Sequence, residues 1–354
     1  MTDHPSPFCE AQRRKSGRSA SQNPASALRG RRVLVTGADG FIGSHVVERL
    51  VADGADVRAL CCYNSNGSYG WLDELPDVRA AADLRLGDVR DAGSVEAAVD
   101  GCEIVLHLAA LIAIPYSYDA PRSYVDTNVT GTLNVLEAVK RTGATRLVHT
   151  STSEVYGTPD VVPITEDHPL RGQSPYSASK IAADKLCEAW ACSFGTPVVV
   201  LRPFNTFGPR QSARAVITTV LSQLLAGRTE IRLGSTAPRR DFTYVTDTVD
   251  GFVRAATAAL EPGTVVQLGT GTTVSIGELV ERAAKALDVD VTVVEDEQRL
   301  RPERSEVMVL LSDPRRAREL LGWKPSVSLD EGLARTAAWL AARPGAIDPD
   351  RYQT

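Results

Sequence analysis

A tyrosine and a lysine stand four residues apart in Tyr176-Ser177-Ala178-Ser179-Lys180, at the start of a stretch with helical spacing. That separation puts both side chains on one helix face. An ammonium beside a phenol favours the phenolate and lowers the phenol pKa. Such a phenolate can take a hydroxyl proton while a hydride leaves the same carbon. The pair alone is a weak signal, because tyrosine and lysine also meet as ordinary surface packing. Its companion is Ser151-Thr152-Ser153-Glu154-Val155-Tyr156-Gly157, directly after an apolar strand candidate. The C-terminal ends of parallel strands are where sites form, so Thr152, Ser153 and Glu154 should face the same cleft as Tyr176. A carboxylate at Glu154 suits a base that removes a carbon-bound proton. The plain alternative is a hydroxyl-rich turn satisfied by its own backbone.

A chemistry that moves hydride needs a carrier. Thr36-Gly37-Ala38-Asp39-Gly40-Phe41-Ile42-Gly43 joins the first strand to the first helix. Gly37 permits a tight turn, Gly40 lets backbone approach a pyrophosphate, and Gly43 lets helix and strand pack closely. Phe41 and Ile42 then begin a helix whose N-terminus faces the anion. The spacing G-x-x-G-x-x-G is a variant of the dinucleotide fingerprint. The second strand should end in an acid that holds the adenosine ribose of NAD. Here it reads Ala59-Leu60-Cys61-Cys62-Tyr63-Asn64-Ser65, with no acid. NAD is the expected cofactor, with NADP also permitted. Asp88 and Val89, after the third strand, should meet the adenine, although Asp88 could instead cap the next helix. Leu108, Ala109 and Ala110 close the fourth strand with small residues against which a cofactor can lie.

These groups require an element pattern to hold them. Short apolar runs at Arg32–Thr36, Asp56–Cys61, Leu84–Leu86, Ile104–Leu108, Arg146–Thr150 and Val198–Leu201 read as buried strands. Helical stretches such as Ser44–Ala52, Thr132–Arg141 and Ala178–Ala191 lie between them. Alternation of this kind means a parallel sheet covered on both faces. After Pro203 it becomes irregular, with one more strand at Val265–Gly269 and helices at Ala215–Leu225, Ser275–Leu287, Pro314–Leu321 and Asp330–Ala342. The fold class expected is α/β, a Rossmann-type doubly wound parallel sheet with a smaller C-terminal α/β substrate-binding domain. Residues 29–203, completed by 241–268, form the dinucleotide domain. Residues 204–240 and 269–343 form the substrate domain. Residues 1–28, rich in Ser, Arg and Pro, read as a disordered tail, and the chain beyond Arg343 as loose.

Composition narrows the class of partner. The chain has 354 residues and a formal net charge of -5, which disfavours nucleic acid and anionic membrane surfaces. No segment is apolar and long enough to cross a bilayer. Its 6 cysteines form no metal-type pair of pairs and fit a reducing cytoplasm; its 5 histidines are scattered, so no metal site is expected.

Taken together, the glycine turn, Leu108-Ala109-Ala110, Asn128, Thr152, Tyr176, Lys180, Arg202-Pro203-Phe204-Asn205, Arg240-Asp241-Phe242 and Leu321-Gly322-Trp323-Lys324-Pro325 resemble the extended short-chain dehydrogenase/reductase family. The resemblance spans residues 31 to 340. It implies a nucleotide-sugar substrate, a cofactor contact from Asn128, and a homodimer through the helices near 132–141 and 177–191. Tyr63-Asn64-Ser65, Gly70-Trp71-Leu72, the 112–118 segment, Gln211-Ser212-Ala213-Arg214-Ala215 and Arg301-Pro302-Glu303-Arg304-Ser305-Glu306-Val307 are similar to a narrower group. That group is the UDP-N-acetylglucosamine 4,6-dehydratases of the legionaminic-acid pathway. Asn205, Arg210, Arg240 and Arg301, with Arg202, are the candidates for the diphosphate and sugar, since guanidinium matches phosphate geometry. The resemblance implies a 4,6-dehydratase. A UDP-glucuronate decarboxylase or a 4-epimerase would use the same tyrosine, lysine and threonine. Asp241, following Arg240, argues against the decarboxylase.

Overall fold

The computed structural model describes residues 24–345 and 347–348. Seven parallel strands form the central sheet: β1 (Arg32–Thr36), β2 (Asp56–Cys62), β3 (Asp83–Gly87), β4 (Ile104–His107), β5 (Arg146–Thr150), β6 (Val198–Pro203) and β7 (Val265–Leu268). Their order is β7-β6-β5-β4-β1-β2-β3. The strand order reverses between β1 and β4, and ligands sit outside the carboxyl ends of strands at such a switch point. β1, β4 and β5 are Val- and Leu-rich with buried interiors, as expected of strands covered on both faces. Register brings Thr36 opposite His107 and His107 opposite His149. The C-terminal ends of the three central strands therefore form one ledge.

The principal helices are α1 (Phe41–Ala52), α2 (Ala92–Val99), α3 (Gly131–Thr142), α4 (Pro175–Phe194), α5 (Val216–Leu225), α6 (Val245–Thr257), α7 (Ile276–Leu287) and α8 (Leu329–Ala341). α2, α3 and α4 cover one face of the sheet, and α1 and α6 pack together on the other. α5, α7 and α8 pack on one another beside two small sheets. One pairs Glu230–Leu233 with Thr292–Glu295; the other joins Val274–Ser275, Arg239–Arg240 and Val309–Leu310. One hydrophobic core runs from β1 and β2 through α6 into α5, α7 and α8.

Two sequence expectations need correction at the ends. Residues 24–28 of the expected tail form a helical turn, Pro24–Leu28, and Leu28 is fully buried against the core. Leu28 docks because an apolar side chain beside the sheet gains more from burial than a short segment loses in ordering. The rest of that expected tail lies outside the described residues. At the other end, Ile347 packs partly against the same core, so the segment past Arg343 is not wholly loose.

Candidate active site

The ledge opens into a cleft of about 1110 Å³ between the sheet ends and the C-terminal elements. Gly37, Gly40, Phe41, Ile42 and Gly43 floor it, with Asp88, Val89, Leu108, Ala109 and Ala110 along one wall. Two of these glycines are required by sterics. Gly37 has φ +67°, and a Cβ on it would stand 2.7 Å from the Ala109 nitrogen. A Cβ on Gly43 would stand 2.0 Å from the Gly37 oxygen. α1 begins at Gly40 with no side-chain cap, so its first-turn amides are open to an anion. Asp88 lines the wall but is held by Arg90, whose Nη2 lies 2.5 Å from Oδ2; this pairing pulls its carboxyl below the usual range.

The residues expected to react meet at the ends of β5 and α4. Ser174 caps α4 reciprocally with Ser177, and Pro175 fills the first position. Such a capping box fixes where a helix starts, and so fixes Tyr176 in its first turn. Thr152 caps the short turn Ser153–Tyr156, accepting from the Glu154 amide at 3.2 Å, and its hydroxyl lowers the pKa of the Tyr176 phenol. Thr152, Ser153, Glu154, Tyr176 and Lys180 all line the cleft. Lys180 Nζ donates to the Thr150 carbonyl at 2.6 Å.

The electrostatics correct one expectation. Burial is the dominant influence on Tyr176 and pushes its phenol well above the ordinary value; Thr152 pulls it down and the Glu154 charge pushes it further up. The net direction is upward despite Lys180 on the same helix face. Burial lowers its own pKa to about 8, against a rise from Asp184. Desolvation thus outweighs the neighbouring ammonium in this pocket.

The expected substrate groups divide. Asn205, Arg240 and Arg301 line the cleft. Arg240 is buried, donating to the Val307 carbonyl at 2.7 Å and to Glu306 Oε1 at 2.9 Å. Burial lowers its pKa, while the charges of Glu154 and Glu306 raise it. Arg301 Nη1 lies 3.6 Å from the same Glu306 oxygen and has no hydrogen-bond partner although it is buried. Arg210 is elsewhere: it pairs with Glu48 at 2.7 Å and with Ser44 Oγ at 3.3 Å, fastening the 208–210 turn to α1. Arg202 is also structural, bonded to Asp184 and Tyr156 inside the protein. Asn128 is buried and holds Leu111 by both backbone groups, at 2.8 and 2.9 Å, and Ser179 Oγ at 2.9 Å. It shapes the wall through Leu111 rather than facing the cleft. Asp241 accepts from Thr270, Gly271 and Ser312 and is fully buried, so it cannot act on a sugar and does not argue against decarboxylation. Sequence reasoning gave no role to Glu306, which ties both arginines together, or to Asp39, which lines the cleft. In each case the signal was an acid beside a functional motif.

A family model for GDP-mannose 4,6 dehydratase matches residues 34–336. The chain belongs to the extended short-chain dehydrogenase/reductase family, that of the NAD-dependent nucleotide-sugar dehydratases and epimerases. Within this family, a UDP-glucose 4-epimerase of Mycolicibacterium smegmatis is 36% identical over 316 residues, covering 86% of this chain and 97% of the relative. A dTDP-glucose 4,6-dehydratase of Streptomyces griseus is 36% identical over 311 residues, covering 87% and 93%. A dTDP-glucose 4,6-dehydratase from Streptomyces venezuelae, solved with NAD and TYD bound, superposes with a TM-score of 0.80 at 32% identity, covering 90% of this chain and 99% of that one. Short-chain dehydrogenase/reductase membership accounts for the glycine turn and the tyrosine–lysine helix; relatives of both reaction types are equally near.

Proposed function

We propose that this protein is an NAD-dependent nucleotide-sugar 4,6-dehydratase. The observation that carries the reading is Glu154: a carboxylate in the cleft, electrostatically coupled to both Tyr176 and Arg240. Epimerisation at C4 needs no base for a carbon-bound proton; elimination does. The dinucleotide fits the cradle of Gly37, Gly40 and Gly43, where Gly37 and Gly43 admit no Cβ and the helix starting at Gly40 offers uncapped amides to a diphosphate. Leu108, Ala109, Ala110 and Val89 would flank it, and NAD is bound in the related dehydratase.

In the proposed mechanism Tyr176, as phenolate, takes the proton of the sugar 4-hydroxyl. Thr152 orients the phenol and Lys180 supplies the cation that the phenolate requires. A nicotinamide dinucleotide held by Gly37, Gly40 and Gly43 would supply hydride acceptance at C4 and hydride return at C6. The C4 ketone acidifies the proton on C5, which Glu154 removes as the C6 hydroxyl departs, with Ser153 adjacent. Two protons are taken, from O4 and from C5. One leaves with the C6 oxygen as water and the other returns to C5, so the net change is loss of one water. Arg240 and Arg301 hold the diphosphate end, and Asn205 orients the substrate.

UDP-N-acetylglucosamine is the first substrate to test, beside dTDP-glucose, UDP-glucose and UDP-glucuronate. Loss of the mass of water from any of them supports the reading. An isomer of unchanged mass indicates a 4-epimerase, the reading favoured by the relatives that carry that name. Loss of carbon dioxide indicates a decarboxylase. α3 and α4 pack side by side and are the proposed homodimer face, which sedimentation of the full chain tests.

A further inference from the structure

The reading of a dinucleotide cleft leaves one question at its adenosine end. β2 ends in Cys61 and Cys62, with no acid to bind the ribose hydroxyls, and such an acid is what excludes a 2′-phosphate in this architecture. Of the groups that could instead welcome a phosphate, Arg58 and Asn64 are committed, while Arg90 is exposed and engaged only by a surface pair. Arg58 lies within β2 but points away, bonded to Asp83 at 2.9 Å and to the Ala98 and Asp100 carbonyls at 2.8 and 2.7 Å. Asn64 closes its own loop, accepting from the Ser68 amide and donating to the Ser68 and Cys62 carbonyls. Arg90, at the rim, grips Asp88 through both Nε and Nη2.

A carboxylate does reach the end of β2, from another element. Asp39, in the glycine turn, places Oδ1 3.3 Å from the Cys62 amide. It lines the cleft together with Gly37, Gly40, Cys62 and Asp88. Its position is fixed from behind. Trp71 donates its amide to the Asp39 carbonyl at 3.2 Å, and Gly70 packs so closely that a Cβ there would stand 2.6 Å from that oxygen. Trp71 is in turn held edge-on against Trp339, 5.5 Å between ring centroids. No ion pair to Asp39 is present among the described residues. Burial raises its pKa, and the Cys62 amide lowers it; when ionised, with no cation paired to it, it lines the cleft where ribose hydroxyls could donate to it and a phosphate dianion would be repelled.

We infer that Asp39 is the specificity-determining residue of the cofactor site: it substitutes, from the glycine turn, for the missing acid of β2 and selects NAD over NADP. The inference rests on the proposed dinucleotide site. Its test is therefore binding rather than turnover. NAD and NADP are titrated separately into the full chain by calorimetry, and any dinucleotide that copurifies is identified by mass. The expected result is preference for NAD by roughly tenfold or more, the scale of one desolvated charge contact. Asp39→Asn keeps an oxygen for the Cys62 amide and removes only the charge. It is expected to shrink the preference by roughly tenfold. Asp39→Ser, smaller and uncharged, should shift the ratio the same way and serves if the first variant does not fold. Equal affinities in the natural chain, copurified NADP, or an unchanged ratio in a folded variant would overturn the inference and leave Asp39 a tie between the glycine turn and β2. Binding of neither dinucleotide would overturn the proposed function itself.

Discussion

At the scale of single residues, the site separates groups proposed to react from groups that hold. Tyr176 and Lys180 are buried, and burial opposes the charged form of each. A productive phenolate must therefore be stabilised by positive charge close by, the role proposed for Lys180. Tyr176→Phe is expected to lower kcat by about a hundredfold to ten-thousandfold, the range of a lost general base, with nucleotide-sugar affinity nearly unchanged. Steady-state kinetics beside calorimetry check it, and near-normal kcat would remove Tyr176 from the mechanism. Glu154→Gln probes a later step. It should still oxidise C4 but stall before elimination, so absorbance of the reduced nicotinamide accumulates in a single turnover. A variant that releases water at the natural rate would mean that Glu154 is not the base that takes the C5 proton. That Thr152, Glu154, Tyr176 and Lys180 share one cleft was legible in the sequence because their spacing is local: Lys180 is four positions after Tyr176, and Glu154 two after Thr152. The arginines were not. Arg210 and Arg240 look alike in sequence, and only packing puts one on Glu48 and the other over the cleft.

At the scale of elements, the glycine turn is the part most tightly specified by sterics. Gly43→Ala would force a Cβ to within 2.0 Å of the Gly37 carbonyl, so α1 must shift off β1. The expected cost is about 1–3 kcal/mol, as for other overpacked positions, together with weakened dinucleotide binding. Thermal melts and calorimetry on the same sample read both. Full stability with normal NAD affinity would show that the turn can relax at no cost. The alternation of short apolar runs with helical stretches made β1 through β6 readable, because strands buried on both faces are apolar throughout. β7 was readable for the same reason, despite lying far along the chain beside β6. The two- and four-residue strands at Arg239–Arg240, Val274–Ser275 and Thr292–Glu295 were not. They are too short to show a period, and their partners are set by tertiary contact. Leu28 escaped notice likewise, as one apolar residue at the end of a polar segment.

At the scale of the whole molecule, the sheet keeps polar groups in its interior directly beneath the reacting residues, and these make stability depend on pH. His149 on β5 is fully buried. Neither ring nitrogen has a well-formed hydrogen bond, although Asp184 Oδ1 stands 3.5 Å from Nε2. Burial first, and the Lys180 ammonium second, lower its pKa from 6.5 to about 4. His107, 5.6 Å away ring to ring, is lowered by burial and by His149, and His45 is lowered to about 4 by burial and Arg210. The unfolded chain takes up these protons near 6.5 while the folded chain refuses them. Unfolding therefore binds protons, and stability rises with pH across this window. It is fully present above about 6.5 and falls as pH drops from there towards about 4. For His149 alone the loss is on the order of 3 kcal/mol at the acid end. Asp184, whose carboxyl is held low chiefly by His149 and Arg202 against burial, loses its contribution only below the ordinary carboxylate range, so the two effects separate on the pH axis. Melting temperature measured from about pH 7 to about pH 4.5 should fall steeply for the natural chain and less steeply for His149→Leu, which cannot titrate. Parallel curves for the two proteins would mean that the buried imidazole is not what limits the fold in acid.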